Sequence, residues 1–156
     1  MTDLSQLPSF EEGYVPVVGG RIHYASAGDG PMPIVCLHKL GGWVAEWRWI
    51  MPILATRTRV IAMDLPGHGG SKMEGDPPFI CTQEEAAAKI MAAADSLGVS
   101  NFSFVGSSEG GCVATVCAAM WPEKVSSVAS LGSALAGSAP RAELRKATAH
   151  AIADGY

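Results

Sequence analysis

Charge is scarce in this chain, and what there is does not cluster. Charged residues make up 17% of 156 positions, with 11 Lys and Arg against 15 Asp and Glu, a formal net charge of −4. An acidic chain with scattered basic residues lacks the electrostatic footprint of a nucleic-acid binder. No run of about 18 uninterrupted apolar residues occurs, so no membrane-spanning helix and no membrane partner is expected. The N-terminal stretch Met1-Thr2-Asp3-Leu4-Ser5-Gln6-Leu7-Pro8 is neither basic nor followed by an apolar run, and it does not read as a secretory signal. None of the four cysteines, Cys36, Cys81, Cys112 and Cys117, forms a C-x-x-C pair, and three sit inside apolar runs. They read as buried, reduced thiols of a cytoplasmic protein rather than as a disulfide framework or metal site. Asn101-Phe102-Ser103 fits the glycosylation pattern, but it lies at an expected strand start and no export signal accompanies it. There is no internal repeat or low-complexity tract, and the 18 glycines and 10 prolines show no collagen-like period.

What is present is apolar. Residues of the hydrophobic class make up 48% of the chain, enough for one packed domain. Short, continuously apolar runs at Ile34–Leu37, Val60–Met63 and Phe102–Val105 read as strands buried on both faces. Arg21–Ala27 reads as a strand after the turn Gly19-Gly20, and Val125–Leu131 as a more polar strand. Between them, Glu46–Leu54 reads as a helix, and Leu65–Pro78 as a loop rich in Gly and Pro. Thr82-Gln83-Glu84-Glu85 has capping-box spacing, Ala86, Ile90, Ala93 and Leu97 follow at helical spacing, and Gly98 stands at the stop. Glu109–Trp121 reads as a small-residue helix ended by Pro122. Gly132–Pro140 reads as a loop and Arg141–Ala153 as a last helix. Strands alternating with helices predict an α/β fold, a mainly parallel sheet covered on both faces, whose chemistry collects at the carboxyl ends of the strands. His38, Asp64 and Ser108 each follow one of the apolar strands.

Gly106-Ser107-Ser108-Glu109-Gly110, followed by Gly111, matches G-x-S-x-G between an expected strand and an expected helix. A serine on so sharp a turn is forced into strained backbone angles and held clear of the surface. Its neighbours two residues away must be small, because strand and helix pass close together; Gly106 and Gly110 supply that clearance, and Gly111 lets the helix pack tightly. Ser108 would also sit at a helix N-terminus, which favours developing negative charge. Phosphate binding is disfavoured, because neither G-x-G-x-x-G nor G-x-x-x-x-G-K-[ST] is present. The pentapeptide alone leaves a nucleophile and a purely structural turn equally open.

Two further segments change the balance. Leu37-His38-Lys39-Leu40-Gly41-Gly42-Trp43 and Asp64-Leu65-Pro66-Gly67-His68-Gly69-Gly70-Ser71 each follow a buried strand. With the Ser108 turn, in this order and spacing, they resemble the α/β-hydrolase superfamily, in its serine esterase and lactonase-like branch. The resemblance runs from about Gly20 to Leu131. It implies that Ser108 is the nucleophile and that the backbone N–H groups of Glu109 and Leu40 form the oxyanion hole. Many relatives have His-Gly where this chain has His38-Lys39, so the Lys39 side chain points at the pocket or, as favoured here, into solvent. His38 is taken as a loop-orienting residue rather than the base, since in the family the base follows the serine. Asp64 and His68 are taken as shaping a turn. Trp43, Trp47 and Trp49 pack in the core or line the pocket; His38, Lys39 and Trp43 are the candidates for pocket lining. The side chain of Glu109 could also face it. A serine at the elbow argues against the haloalkane dehalogenase and epoxide hydrolase branches, which the resemblance associates with Asp there.

The resemblance also implies a histidine base and an acid after later strands. Of the four histidines, only His150 follows Ser108, and the order of His150 and Asp154 is reversed relative to the family. The expectation is therefore a single partial α/β-hydrolase domain over residues 1–156, with its core at 15–131, the start of a cap at about 133–156, and the base and acid beyond the chain. Strand 125–131 would then be an exposed edge open to self-association. The expected activity is hydrolysis of a small carboxylic ester or lactone through an acyl-enzyme, with no metal or organic cofactor. The rivals are a binding or regulatory module that keeps the fold without turnover, and a cofactor-free haloperoxidase-type or C–C-bond hydrolase using the same serine.

Overall fold

The computed structural model describes residues 10–75 and 77–133. The expected last helix at 141–153, the cap segment beyond residue 133, and the His150–Asp154 pair lie outside the described residues. Seven strands of the described residues form one sheet: β1 (Glu11–Val17), β2 (Gly20–Ala27), β3 (Ile34–Leu37), β4 (Val60–Met63), β5 (Lys72–Met73), β6 (Phe102–Ser107) and β7 (Val125–Leu131). The order is β1-β2-β4-β3-β6-β7, with β5 paired to β2. The pairs β4–β3, β3–β6 and β6–β7 are parallel, whereas β1–β2, β2–β4 and β2–β5 are antiparallel. The α/β class with a mainly parallel sheet is the fold observed.

Among the described residues, three helices follow strands: α1 (Met51–Leu54), α2 (Gln83–Ser96) and α3 (Glu109–Met120). Alternate residues of the strands face two separate cores. One face packs Val35, Leu37, Ile61, Met63, Phe102 and Phe104 against α2 and α3. The other packs Cys36, Val60 and Ala62 against Val44, Trp47 and Met51, which come from a 3-10 turn at Val44–Trp47 and from α1. α2 begins as its sequence requires. Glu85 N–H donates to Thr82 Oγ1 at 3.1 Å, and Thr82 N–H donates back to Glu85 Oε2 at 2.8 Å. Gly98 takes a positive φ of 71° at the stop.

Three departures from the sequence reading have physical causes. The helix expected over Glu46–Leu54 is broken into the 3-10 turn and the single turn of α1. Pro52 has no N–H, and its ring excludes the carbonyl four residues back, so one helix cannot run through it; it is accommodated in the first turn of α1 instead. β1 was not expected, because Glu11, Glu12, Gly13 and Pro16 spoil its alternation and only Val15 is buried; its antiparallel pairing with β2 makes it a strand. β5 lies inside the segment expected as loop and consists of two residues opposite Gly20 and Arg21. β7 ends the sheet among the described residues, and most of its residues are exposed.

The cysteines are reduced. Cys36, Cys112 and Cys117 are buried and Cys81 is half-buried. Burial pushes the Cys36 and Cys117 thiols up to about 12, which keeps them protonated and unreactive.

Candidate active site

β3, β4 and β6 run parallel, so their carboxyl ends lie side by side, and the three loops that leave them meet. The loop after β6 is the sharpest. Ser108 stands between β6 and α3 with φ 48° and ψ −111°, a conformation that costs a non-glycine residue on the order of 1–3 kcal/mol. Its backbone is tied at both ends. The Ser108 N–H donates to Leu131 O at 2.8 Å, and its carbonyl accepts from Ser133 Oγ at 2.7 Å and from Gly111 N–H at 3.1 Å. The side chain is left exposed.

The glycines around it are sterically required. A Cβ on Gly106 would lie 2.5 Å from Gly111 Cα, and one on Gly110 would collide with the Leu37 carbonyl oxygen. A Cβ on Gly111 would collide with Ser133 Oγ. Gly106 and Gly111 therefore bring strand and helix together, while Gly110 lets α3 approach the end of β3.

The loop after β3 is held from three sides. His38 is fully buried. Its Nδ1 donates to Lys39 O at 2.7 Å, and its Nε2 accepts the Leu65 N–H at 2.9 Å. Lys39 N–H donates to Glu46 Oε2 at 3.2 Å, and Gly42 N–H donates to Lys39 O at 2.9 Å. The Lys39 backbone is thus fixed by hydrogen bonds that do not involve its side chain, which is exposed. Its φ is not positive, so nothing in the backbone demands glycine there. Asp64 Oδ1 lies 3.6 Å from His38 Nε2, but that nitrogen is occupied by the Leu65 N–H, so the contact is not an ion pair. Burial holds the His38 ring below the usual histidine range and keeps it neutral.

Asp64, at the end of β4, is the hub of the second loop. Its Oδ1 accepts from Val44 N–H at 2.6 Å, and its Oδ2 accepts from Gly70 N–H at 2.7 Å and from His23 Nδ1 at 2.8 Å. Ser71 Oγ donates to the Asp64 carbonyl at 2.9 Å. A fully buried carboxylate that receives this many donors organises structure.

Between these loops and α2 opens a small cleft of about 50 Å³. Leu40 and Glu109 both line it, from the loop after β3 and the start of α3. Its apolar wall includes Leu65, Phe79, Ile80 and Val113. His68 and Thr82 add polar groups. The three candidates for pocket lining, His38, Lys39 and Trp43, are not among its lining residues. His38 is consumed in bridging two loops, while Lys39 and Trp43 face outward. Trp47 is buried in the second core, and Trp49 is 75% exposed beneath the Arg48 guanidinium. Conversely, the sequence reading missed Phe79, Ile80 and His68 as walls. The short apolar triplet Phe79-Ile80-Cys81 after a Gly- and Pro-rich stretch was the available signal.

Among the described residues, His23, His38 and His68 make no hydrogen bond to Ser108. No cluster of three or more His, Cys, Asp or Glu side chains is arranged to hold a metal ion among them. No helix among them is long and apolar enough to cross a membrane.

Comparison with known proteins gives a consistent result. A family model described as alpha/beta hydrolase fold matches residues 32–154. The chain is 35% identical over 127 residues to the dihydrolipoyllysine-residue acetyltransferase component of the acetoin cleaving system of Pseudomonas putida, covering 78% of this chain and 33% of that protein. It is 34% identical over 123 residues to bifunctional epoxide hydrolase 2 of Mus musculus, covering 76% of this chain and 22% of that protein. Among solved structures, Cfl2 wild-type from Burkholderia cenocepacia superposes with a TM-score of 0.73 at 32% identity, over 81% of this chain and 42% of that one. The chain spans a third or less of the length of these two curated relatives.

Proposed function

The chain belongs to the α/β-hydrolase fold family, and within it we propose a serine hydrolase that cleaves small carboxylic esters or lactones through an acyl-enzyme on Ser108. One observation carries the reading. Ser108 is exposed on a strained elbow and is not itself among the residues that line the cleft, but the residue after it, Glu109, lines the cleft together with Leu40. Ser108 Oγ attacks the carbonyl carbon, and the oxygen that gains negative charge is held by the backbone N–H groups of Leu40 and Glu109. Losing one such donor costs about 10²–10³ in rate in comparable enzymes. The start of α3 adds its dipole to the same charge. The alcohol leaves, and water then hydrolyses the acyl-serine. In this reading the Ser108 proton passes to a base outside the described residues.

The mouse relative's name points to epoxide opening, but the resemblance associates that branch with Asp at the elbow, where this chain has Ser108. In the same proposal residues 15–131 are the chemical core, the segment from about 133 begins a cap, and the exposed edge at β7 is the route to self-association.

The test is intact-mass spectrometry of the 156-residue chain after a fluorophosphonate probe, beside Ser108→Ala. A single adduct that disappears in the variant would show that a base reaches Ser108 within this chain or from a second copy, against the expectation that it lies beyond the chain. A folded chain that takes up no probe would leave the family membership standing but not the activity of this chain.

A further inference from the structure

Ser108 is gripped on both sides by the short stretch 131–133 at the end of β7. Its N–H donates to Leu131 O at 2.8 Å, and its carbonyl accepts from Ser133 Oγ at 2.7 Å. A carbonyl only accepts, so the Ser133 hydroxyl is the donor. The same carbonyl takes Gly111 N–H and Cys112 N–H, each at 3.1 Å, as the first turn of a helix does by itself. Ser133 adds a shorter bond from outside the helix. The sequence leaves room for it, because a Cβ on Gly111 would collide with Ser133 Oγ. Gly111 thus opens the space through which a half-buried hydroxyl reaches the elbow. That outside bond has work to do, since Ser108 with φ 48° and ψ −111° lies outside the ordinary wells and its own torsions do not hold the peptide that follows it.

The carbonyl that Ser133 holds shares a peptide unit with the Glu109 N–H, one of the two donors of the proposed oxyanion hole. A trans peptide is planar, and its C=O and N–H point in opposite directions. Fixing the Ser108 carbonyl therefore fixes the line along which the Glu109 N–H points. A donor on the oxygen also draws electron density from the nitrogen, and hydrogen bonds linked in this way strengthen one another by about 10–30% each. We propose that Ser133 is a positioning residue of the oxyanion hole: its hydroxyl aims the peptide between Ser108 and Glu109 and makes the Glu109 N–H a better donor to the charge that develops on the substrate oxygen. The gain is confined to the transition state, because the carbonyl oxygen of an ester becomes a strong acceptor only there. The catalytic consequence rests on the serine-hydrolase reading, whereas the state of the Glu109 peptide can be read without turnover.

The experiment uses the full chain beside Ser133→Ala and Ser133→Thr, the second of which keeps the hydroxyl. In ¹⁵N-labelled protein, Ser133→Ala should move the Glu109 amide nitrogen and proton upfield, and by more than the amides of Gly106 and Gly110 move. Ser133→Thr should restore most of the position. An unmoved Glu109 amide overturns the proposal, and so does equal movement of Gly106, Glu109 and Gly110, which would mean that the elbow has only loosened. The second readout is binding of propylboronic acid. Its boron takes Ser108 Oγ as a fourth ligand and becomes a tetrahedral anion, while the hydroxyl proton passes to the buffer, so no base in the chain is needed. Ser133→Ala should weaken this binding roughly 3- to 10-fold, well short of the 10²–10³ in rate that loss of a whole donor costs, and Ser133→Thr should recover most of it. Methyl butyrate, which carries no such charge, should bind all three chains alike. Boronate binding that is unchanged in Ser133→Ala, or weakened only as much as that of methyl butyrate, overturns the proposal. A natural chain that binds no boronate at Ser108 loses the hydrolase reading; a Glu109 shift in that chain still keeps the positioning role, and an unmoved Glu109 removes both.

Discussion

Two turns leave the strands that flank β3 in one sheet, and they are built on opposite principles. The turn at 64–71 is organised by a side chain. Asp64 is fully buried, and its carboxylate collects Val44, Gly70 and His23. The elbow at 106–111 is organised by missing side chains: Gly106, Gly110 and Gly111 let backbone meet backbone, and the one functional group, Ser108, is left exposed in a strained conformation. The charged, richly hydrogen-bonded residue is therefore the structural one. The plain hydroxyl, held at an energetic cost by backbone geometry, is the one the proposed reaction uses.

That contrast can be broken experimentally, and the largest effect should come from the buried side. Asp64→Ala leaves three donors without their acceptor and should cost about 3–5 kcal/mol in a denaturant titration. Ser108→Ala should change stability by no more than about 0.5 kcal/mol while removing all probe labelling. Comparable losses in the two variants would erase the distinction. Gly110→Ala is next, because its Cβ meets the Leu37 carbonyl rather than a flexible side chain. It should lose about 3 kcal/mol, read from the thermal midpoint. Ser108→Gly should gain about 1 kcal/mol by relieving the strained φ, so that removing the proposed nucleophile stabilises the fold. A loss there would mean that the elbow carries no strain.

The pH dependence gives a finer test. The folded state holds His38 below the ordinary histidine pKa of about 6.5, so the unfolded chain binds the proton more readily. His38 thus contributes stability that is present above that value and is lost as pH falls through the folded pKa. Urea midpoints between about pH 7.5 and pH 5 should fall more steeply for the natural chain than for His38→Gln; parallel curves would show that His38 does not titrate with unfolding. The smallest effect should be at Lys39. Lys39→Gly should stay within about 0.5 kcal/mol and leave labelling intact, because the Lys39 backbone is already held by His38, Glu46 and Gly42.

Legibility in the sequence followed the range of the forces involved. β3 and β4 were readable residue for residue, because a strand buried on both faces must be apolar throughout. The cap of α2 and the glycines of the elbow were readable for the same kind of reason, since each is set by atoms a few residues apart. β1 was not, since its charged and glycine-containing sequence is held extended by pairing with β2. The walls of the cleft were not either. Phe79, His68, Val113 and Leu40 come from four separate segments, and no local pattern brings them to one cavity.

The amino-acid order thus specified the α/β architecture, the elbow and the serine it displays, because apolar runs and steric clearance are local properties. It left open whether His38 and Trp43 face a pocket, how the loop after β3 tolerates Lys39, and which residues wall the cleft. Those outcomes depended on burial and on hydrogen bonds between loops far apart in the chain. They exist only once the parallel strands have brought their carboxyl ends together.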